Sequence, residues 1–175
     1  TDRSCTAETC DCGFFFDDSS ALRKMLHPEA GYVDADEVAA LVLEPIQGEG
    51  GYRLPSDAFA GEIADCCREF DLALVADEVQ AGMGRTGEWW GSDHYPFEPD
   101  VIASAKGLRV GATIGRDEVF PDERSRLSST WGAGDLLSSA MGVVTLDAIE
   151  EYDLLAMATE RGRAFTQHLR AAALP

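Results

Sequence analysis

Three short apolar runs punctuate the chain, and each stops at a polar residue with chemistry of its own. Val38 to Leu43 (VAALVL) is followed by Glu44, Leu72 to Ala76 (LALVA) by Asp77 and Glu78, and Val101 to Ala105 (VIASA) by Lys106. Continuously apolar runs of this length predict parallel strands, and the first, closed by Pro45 and a glycine cluster, predicts a strand buried on both faces. Between the first two runs, Ser56 is placed to cap a helix in which Phe59, Ile63, Cys66, Cys67 and Phe70 recur at helical spacing. Ala112 to Ile114 starts a further strand. From about Asp135 one long helical pattern runs through Met141, Val144, Leu146, Ile149 and Leu154. The stretch Gly82 to Gly91 is too rich in glycine for a regular element, and residues 1 to about 30 show no sustained period. The order predicts an α/β fold, a mostly parallel sheet flanked by helices. In such sheets ligands bind beyond the carboxyl ends of the strands, where Glu44, Asp77 and Lys106 would converge.

Charge narrows the functional classes. The 175 residues carry 32 Asp and Glu against 14 Lys and Arg, a formal net charge of -18. Binding to nucleic acid or to an anionic membrane needs clustered cations, and here the basic residues are scattered among carboxylates. No apolar run approaches a membrane span, and the first residues carry neither the basic region nor the apolar core of a secretion signal, so the expected location is cytoplasmic. Twelve arginines accompany only two lysines, Lys24 and Lys106, while acids are spread along the whole length. That pattern suggests a salt-loving host, because strong salt screens the self-repulsion of such a surface. The five cysteines, Cys5, Cys10, Cys12, Cys66 and Cys67, form no paired CxxC framework. They read as reduced thiols, and no metal is expected, although three of them crowd the start of the chain.

An apolar strand ending in Asp-Glu has two chemical readings and one structural one. The magnesium-holding strand of a nucleotide triphosphatase requires a GxxxxGK[ST] loop, and none is present. A carboxylate that caps or solvates a strand end is the structural reading. The third draws on Lys106, which ends an apolar strand in a chain that otherwise nearly dispenses with lysine. A Schiff base needs a primary amine that can lose its proton, which arginine cannot replace. Against this stands a lysine that merely extends its amine to solvent.

The segments VLEPIQGEGGY, LVADEVQAGMGRTGEWW, PDVIASAKGL and SSTWGAG follow one another, from about Asp36 to Arg161. In that order they resemble the class III aminotransferases, pyridoxal-phosphate enzymes of fold type I, and the DEVQxGxGRTG stretch is among the most specific in that group. The resemblance implies a cofactor, pyridoxal 5'-phosphate, held by Lys106, which later moves a proton between substrate carbon and cofactor. It implies that Asp77 is the partner of the pyridine nitrogen, that Val79 packs on the ring face, and that Gln80 hydrogen-bonds the phenolic oxygen. Thr130 is similar to the threonine that reaches the cofactor phosphate of the other subunit, which implies a homodimer. Glu44 is similar to the gate acid of ω-aminotransferases, with a turn or capping role as its structural alternative, as for Thr130. The implied partners are an amino donor, an amino acid or ω-amine, and a 2-oxoacid.

Complete members of the family are more than twice as long. Their upstream phosphate-binding glycine and serine segment has no counterpart in residues 1–35, and their downstream carboxylate-binding arginine lies beyond this chain. The expected organisation is a poorly defined segment over 1–35, a cofactor-binding core over 36–150 and a helical connection over 151–175. The sheet should lack strands and expose edges, and cofactor binding by these residues alone should be weak. The interval from Lys106 to Thr130 resembles the branch near lysine 6-aminotransferases. The alternatives are an inactive piece that persists as an interaction or assembly module, and a different pyridoxal-phosphate reaction on the same scaffold.

Overall fold

The computed structural model describes residues 5–17, 19–122 and 134–172. Its centre is a four-stranded sheet in the order β3-β4-β5-β6, formed by Ala40–Leu43, Ala73–Asp77, Val101–Ser104 and Ala112–Gly115. The first three strands are parallel and the last is antiparallel, so the sheet is mixed and mostly parallel, as the apolar runs predict. β4 lies inside the sheet, and Leu74 and Ala76 are almost completely buried.

β3 departs from the expectation of burial on both faces. It begins at Ala40 instead of Val38 and lies at the sheet edge, with Val42 68% exposed. Leu41 and Leu43, on its other face, pack towards the core. An apolar run identifies a strand but does not say how many of its neighbours are present.

Helix α2, Asp57–Glu69, connects β3 to β4. Ser56 accepts a hydrogen bond from the Phe59 N–H through its side chain at 3.1 Å, which satisfies one of the donors left free in a first helical turn. Ala60, Ile63, Cys66 and Cys67 form its buried stripe. Burial pushes the Cys66 thiol up to about 12, so this sulfur is an inert core group. The helix ends at Phe70, and Asp71 reverses the chain in the left-handed region at φ 54°.

The N-terminal segment, without period in the sequence, is tied to this core. A short antiparallel hairpin pairs β1 (Phe15–Phe16) with β2 (Ser19–Ser20) and leads directly into α1 (Ala21–Met25). Leu26 joins Ile63, Cys67, Leu72 and Leu74 in one apolar cluster, and the Phe14 ring lies 4.6 Å from that of Phe59. A polar clasp closes the same junction. Glu62 on α2 accepts from Ser20 Oγ at 2.6 Å and from Arg23 Nε at 2.9 Å, while Arg23 also pairs with Glu69.

The long helix expected from Asp135 through Leu154 is instead two helices. α3 spans Leu136–Glu151, capped by the Asp135 carboxylate on the Ser138 N–H at 2.7 Å, and α4 spans Leu154–Ala171. The break falls at Asp153, whose φ of 49° cannot continue a right-handed helix. α3 is apolar around much of its circumference and buries little of it: Leu136 is 85% and Leu137 70% exposed. Among the described residues, no helix is long and apolar enough to cross a membrane.

Candidate active site at the carboxyl ends of the strands

Strand register brings the singled-out residues to one edge of the sheet. Leu43 pairs with Ala76, so Glu44 and Asp77 follow side by side, and Asp77 pairs with Ala103. Lys106 lies three residues beyond Ala103, at the same carboxyl end. A single tight turn holds it there. The Ala105 carbonyl accepts from the Arg109 N–H at 2.9 Å, and Arg109 closes the turn in the left-handed region at φ 70°.

Lys106 is exposed, and its amine makes no hydrogen bond or ion pair among the described residues. In a chain with 32 carboxylates this is informative, because Lys24 does find one, Asp17, at 3.3 Å. Asp77 is half-buried, and its Oδ1 accepts from the Val79 N–H at 3.1 Å. That bond turns the chain immediately after β4 and presents Val79 and Gln80 from the same turn.

Gln80 and Glu44 are coupled through Gly48. The Glu44 carboxylate accepts from the Gly48 N–H at 2.8 Å, and a Cβ at Gly48 would overlap the Gln80 side-chain amide. Gln80 Nε2 in turn donates to Glu49 at 3.2 Å. The EPIQGEG segment therefore folds as a turn closed by its own glutamate and packed on the Gln80 amide. The Glu44 carboxylate thus contacts the backbone four residues further on. Thr130 and Trp131 lie outside the described residues.

The glycine-rich stretch after Gln80 is held in its course by backbone geometry and close packing. Met83, Gly84 and Gly87 all have positive φ, and a Cβ at Gly84 would press on Leu155 of α4 at 2.8 Å. Gly107, next to the lysine, has room for a hydrogen only, since a Cβ there would meet that of Met83 at 2.7 Å. The two turns thus pack against each other at close range.

One residue that sequence reasoning passed over supports this edge. Glu78 is 1% exposed, and its carboxylate accepts from the Gly91 N–H at 2.9 Å, the Ser92 N–H at 2.7 Å and the Ser92 hydroxyl at 2.8 Å. It fastens the start of the 91–94 turn to the end of β4. The signal was available, since a second acid directly after Asp77 alternates to the opposite side of the strand, towards the interior.

The donor set suits pyridoxal phosphate. An unpaired primary amine and a carboxylate stand at adjacent strand ends, and the buried Ser104 hydroxyl between them in sequence has no partner among the described residues. A cavity of about 960 Å³ lies elsewhere, at the amino ends of the strands, where Ala39, Ala73 and Asp100 line it. That is the wrong end of the sheet for Asp77 and Lys106.

A mixed, mostly parallel sheet flanked by helices is the arrangement of the pyridoxal-phosphate-dependent transferases, and solved members of that fold superpose on this chain. An (S)-selective transaminase from Arthrobacter sp. does so with a TM-score of 0.75 and 29% identity, over 85% of this chain and 33% of that one. An ornithine aminotransferase from Plasmodium yoelii gives 0.65 and 34%, over 75% and 37%. A thermostable (S)-enantioselective omega-transaminase from Thermomicrobium roseum gives 0.72 and 30%, over 81% and 34%. The class III aminotransferase family model matches residues 17–174, and the chain belongs to that family, whose members depend on pyridoxal phosphate. It spans roughly a third of the length of these three proteins.

Proposed function

We propose that this chain is the cofactor-binding core of an aminotransferase that moves an amino group from an amino acid or ω-amine to a 2-oxoacid in two half-reactions. The observation that carries the reading is the free amine of Lys106 at a strand end whose parallel neighbour ends in Asp77. Pyridoxal phosphate, when bound, supplies a ring able to absorb the electron pair left by breaking a bond to the substrate carbon. The protein's share is to bind, orient and move protons. Lys106 Nζ is the covalent anchor and, once released, the base that carries a proton to and from the substrate carbon. Asp77 holds the proton on the pyridine nitrogen, since a carboxylate beside a basic nitrogen favours its charged form. Val79 covers one ring face, and the Gln80 amide donates to the phenolic oxygen. By the resemblance of its segment, Thr130 would serve the phosphate of a second subunit in a homodimer. Glu44 gates a substrate-binding arginine supplied from beyond this chain. The names of the ornithine aminotransferase and omega-transaminase neighbours agree with this donor class.

The test is borohydride reduction in the presence of pyridoxal phosphate, followed by peptide mapping. Reduction should fix the label on Lys106, and Lys106→Ala should lose it. Label found on Lys24 instead, or on no lysine of the full-length enzyme, would overturn the assignment. A second reading, an inactive piece kept for assembly, is favoured by the exposed apolar surface of α3. It predicts no new absorbance band on addition of the cofactor, whereas the enzyme reading predicts one.

A further inference from the structure

The N-terminal loop brings together three thiols that the reading above does not use. Cys5, Cys10 and Cys12 have their Sγ atoms within 4.8 Å of one another, and those of Cys10 and Cys12 are 3.2 Å apart. None is in a disulfide.

The approach is built by the loop. Thr6 and Thr9 exchange hydrogen bonds, Thr6 N to Thr9 Oγ1 at 3.1 Å and Thr9 N to Thr6 Oγ1 at 3.3 Å, with the two hydroxyls 2.9 Å apart. This clasp closes a turn and returns Cys10 to Cys5. The Phe15 N–H at the start of the hairpin points at Cys10 Sγ from 3.5 Å, an arrangement that favours a sulfur carrying negative charge. Phe14, one residue earlier, is packed on Phe59, so the cluster hangs from the core on a short tether.

We propose that Cys5, Cys10 and Cys12 form a binding site for a thiophilic divalent cation, zinc, held by three sulfurs with water in the fourth position. A tetrahedral zinc ion with bonds of about 2.3 Å sets its sulfurs about 3.8 Å apart. The cluster lies around that spacing, with one pair closer and the whole group within 4.8 Å, so shifts of about an ångström or less admit the ion. Cys12 is exposed and gives the site an entry path, whereas Cys5 is buried. Sulfur donors select zinc over magnesium or calcium, which prefer oxygen. The occupant has a structural task. Residues 5–12 contain no helix or strand and are closed mainly by the threonine clasp, and a bound ion would fasten them to the β1–β2 hairpin.

Cobalt(II) reports on such a site directly. The chain, reduced until all five thiols titrate and freed of reductant without air, should bind one cobalt ion with a sulfur-to-cobalt charge-transfer band in the near ultraviolet, and zinc should displace it stoichiometrically. Cys5→Ser, Cys10→Ser and Cys12→Ser should each lower zinc affinity by more than the roughly 10–100-fold cost of losing an outer-shell partner. Cys66→Ala/Cys67→Ala, which alters the buried pair on α2, should leave the cobalt spectrum unchanged. Far-ultraviolet circular dichroism of the metal-free variants checks that the loop substitutions spare the fold. A fully reduced chain without the charge-transfer band, or equal zinc uptake by the triple Ser variant, overturns the proposal. So does a chain that refuses zinc and joins Cys10 to Cys12 in air.

Discussion

Truncating Glu78 to alanine would leave two backbone amides and a hydroxyl, at Gly91 and Ser92, without an acceptor in a buried place. Each unsatisfied buried donor costs about 1–3 kcal/mol, and water entering the vacated space recovers part of that. Glu78→Ala should therefore destabilise by about 3 kcal/mol in a denaturant titration, while Glu78→Gln, which keeps an acceptor oxygen, should cost less. Glu62 gives the pH dependence. Burial pushes its carboxyl up, but hydrogen bonds from Arg23, Ser20 and Cys66 outweigh burial and hold it below the usual carboxylate range. A carboxyl depressed in the folded state contributes stability that is present above its unfolded value and lost as pH falls through the folded one. Unfolding measured between neutrality and the acid range should show this loss, and Glu62→Gln, about 1–2 kcal/mol less stable at neutral pH, should show a flatter acid limb. Not every clue at this scale was readable beforehand. Lys106 stood out because lysine is so rare here. The meeting of Cys5 with Cys10 and Cys12 depends on a Thr6–Thr9 clasp that no residue spacing announces.

At the scale of elements, the strands and α2 were legible because burial imposes a period and caps mark its limits, as Ser56 does for α2. Direction and interruption were not. Ala112–Gly115 has the same character whether it runs with or against β5, and its antiparallel course follows from the short turn after Lys106. Asp153 interrupts an apolar period that continues through it, because the left-handed backbone changes the helix axis without changing which residues are apolar. Relieving that conformation should help: Asp153→Gly, judged by thermal unfolding, should be neutral or stabilising by up to about 1 kcal/mol. The glycine contacts set two opposite outcomes. A Cβ at Gly82 would lie 2.9 Å from the Glu78 carbonyl and 2.8 Å from the Trp90 ring, so Gly82→Ala should cost about 2 kcal/mol or more in denaturant titration. At Gly48 the obstacle is the movable end of Gln80, so Gly48→Ala should leave stability nearly unchanged while weakening pyridoxal phosphate binding, followed by its absorbance.

For the molecule as a whole, the charge of -18 over 175 residues governs behaviour in solution. Repulsion at dilute ionic strength opposes compaction, and at about 1 M salt the screening length falls to about 3 Å. Circular dichroism should therefore record loss of structure on dialysis into dilute buffer and recovery on return to salt; full structure in both would remove the argument for a salt-adapted surface. Rigidity is distributed unevenly across the same sheet. β4 has a strand on either side and a helix against it, whereas β6 has β5 on one flank only and leaves Ile114 43% exposed. The outer hairpin thus has a way to come undone while the centre persists. Deuterium should enter the amides of Thr113 and Ile114 well before those of Leu74 and Val75. The amine at the hairpin's base would then ride on a labile rim of the fold, free to swing while the carboxylate at the end of β4 stays fixed.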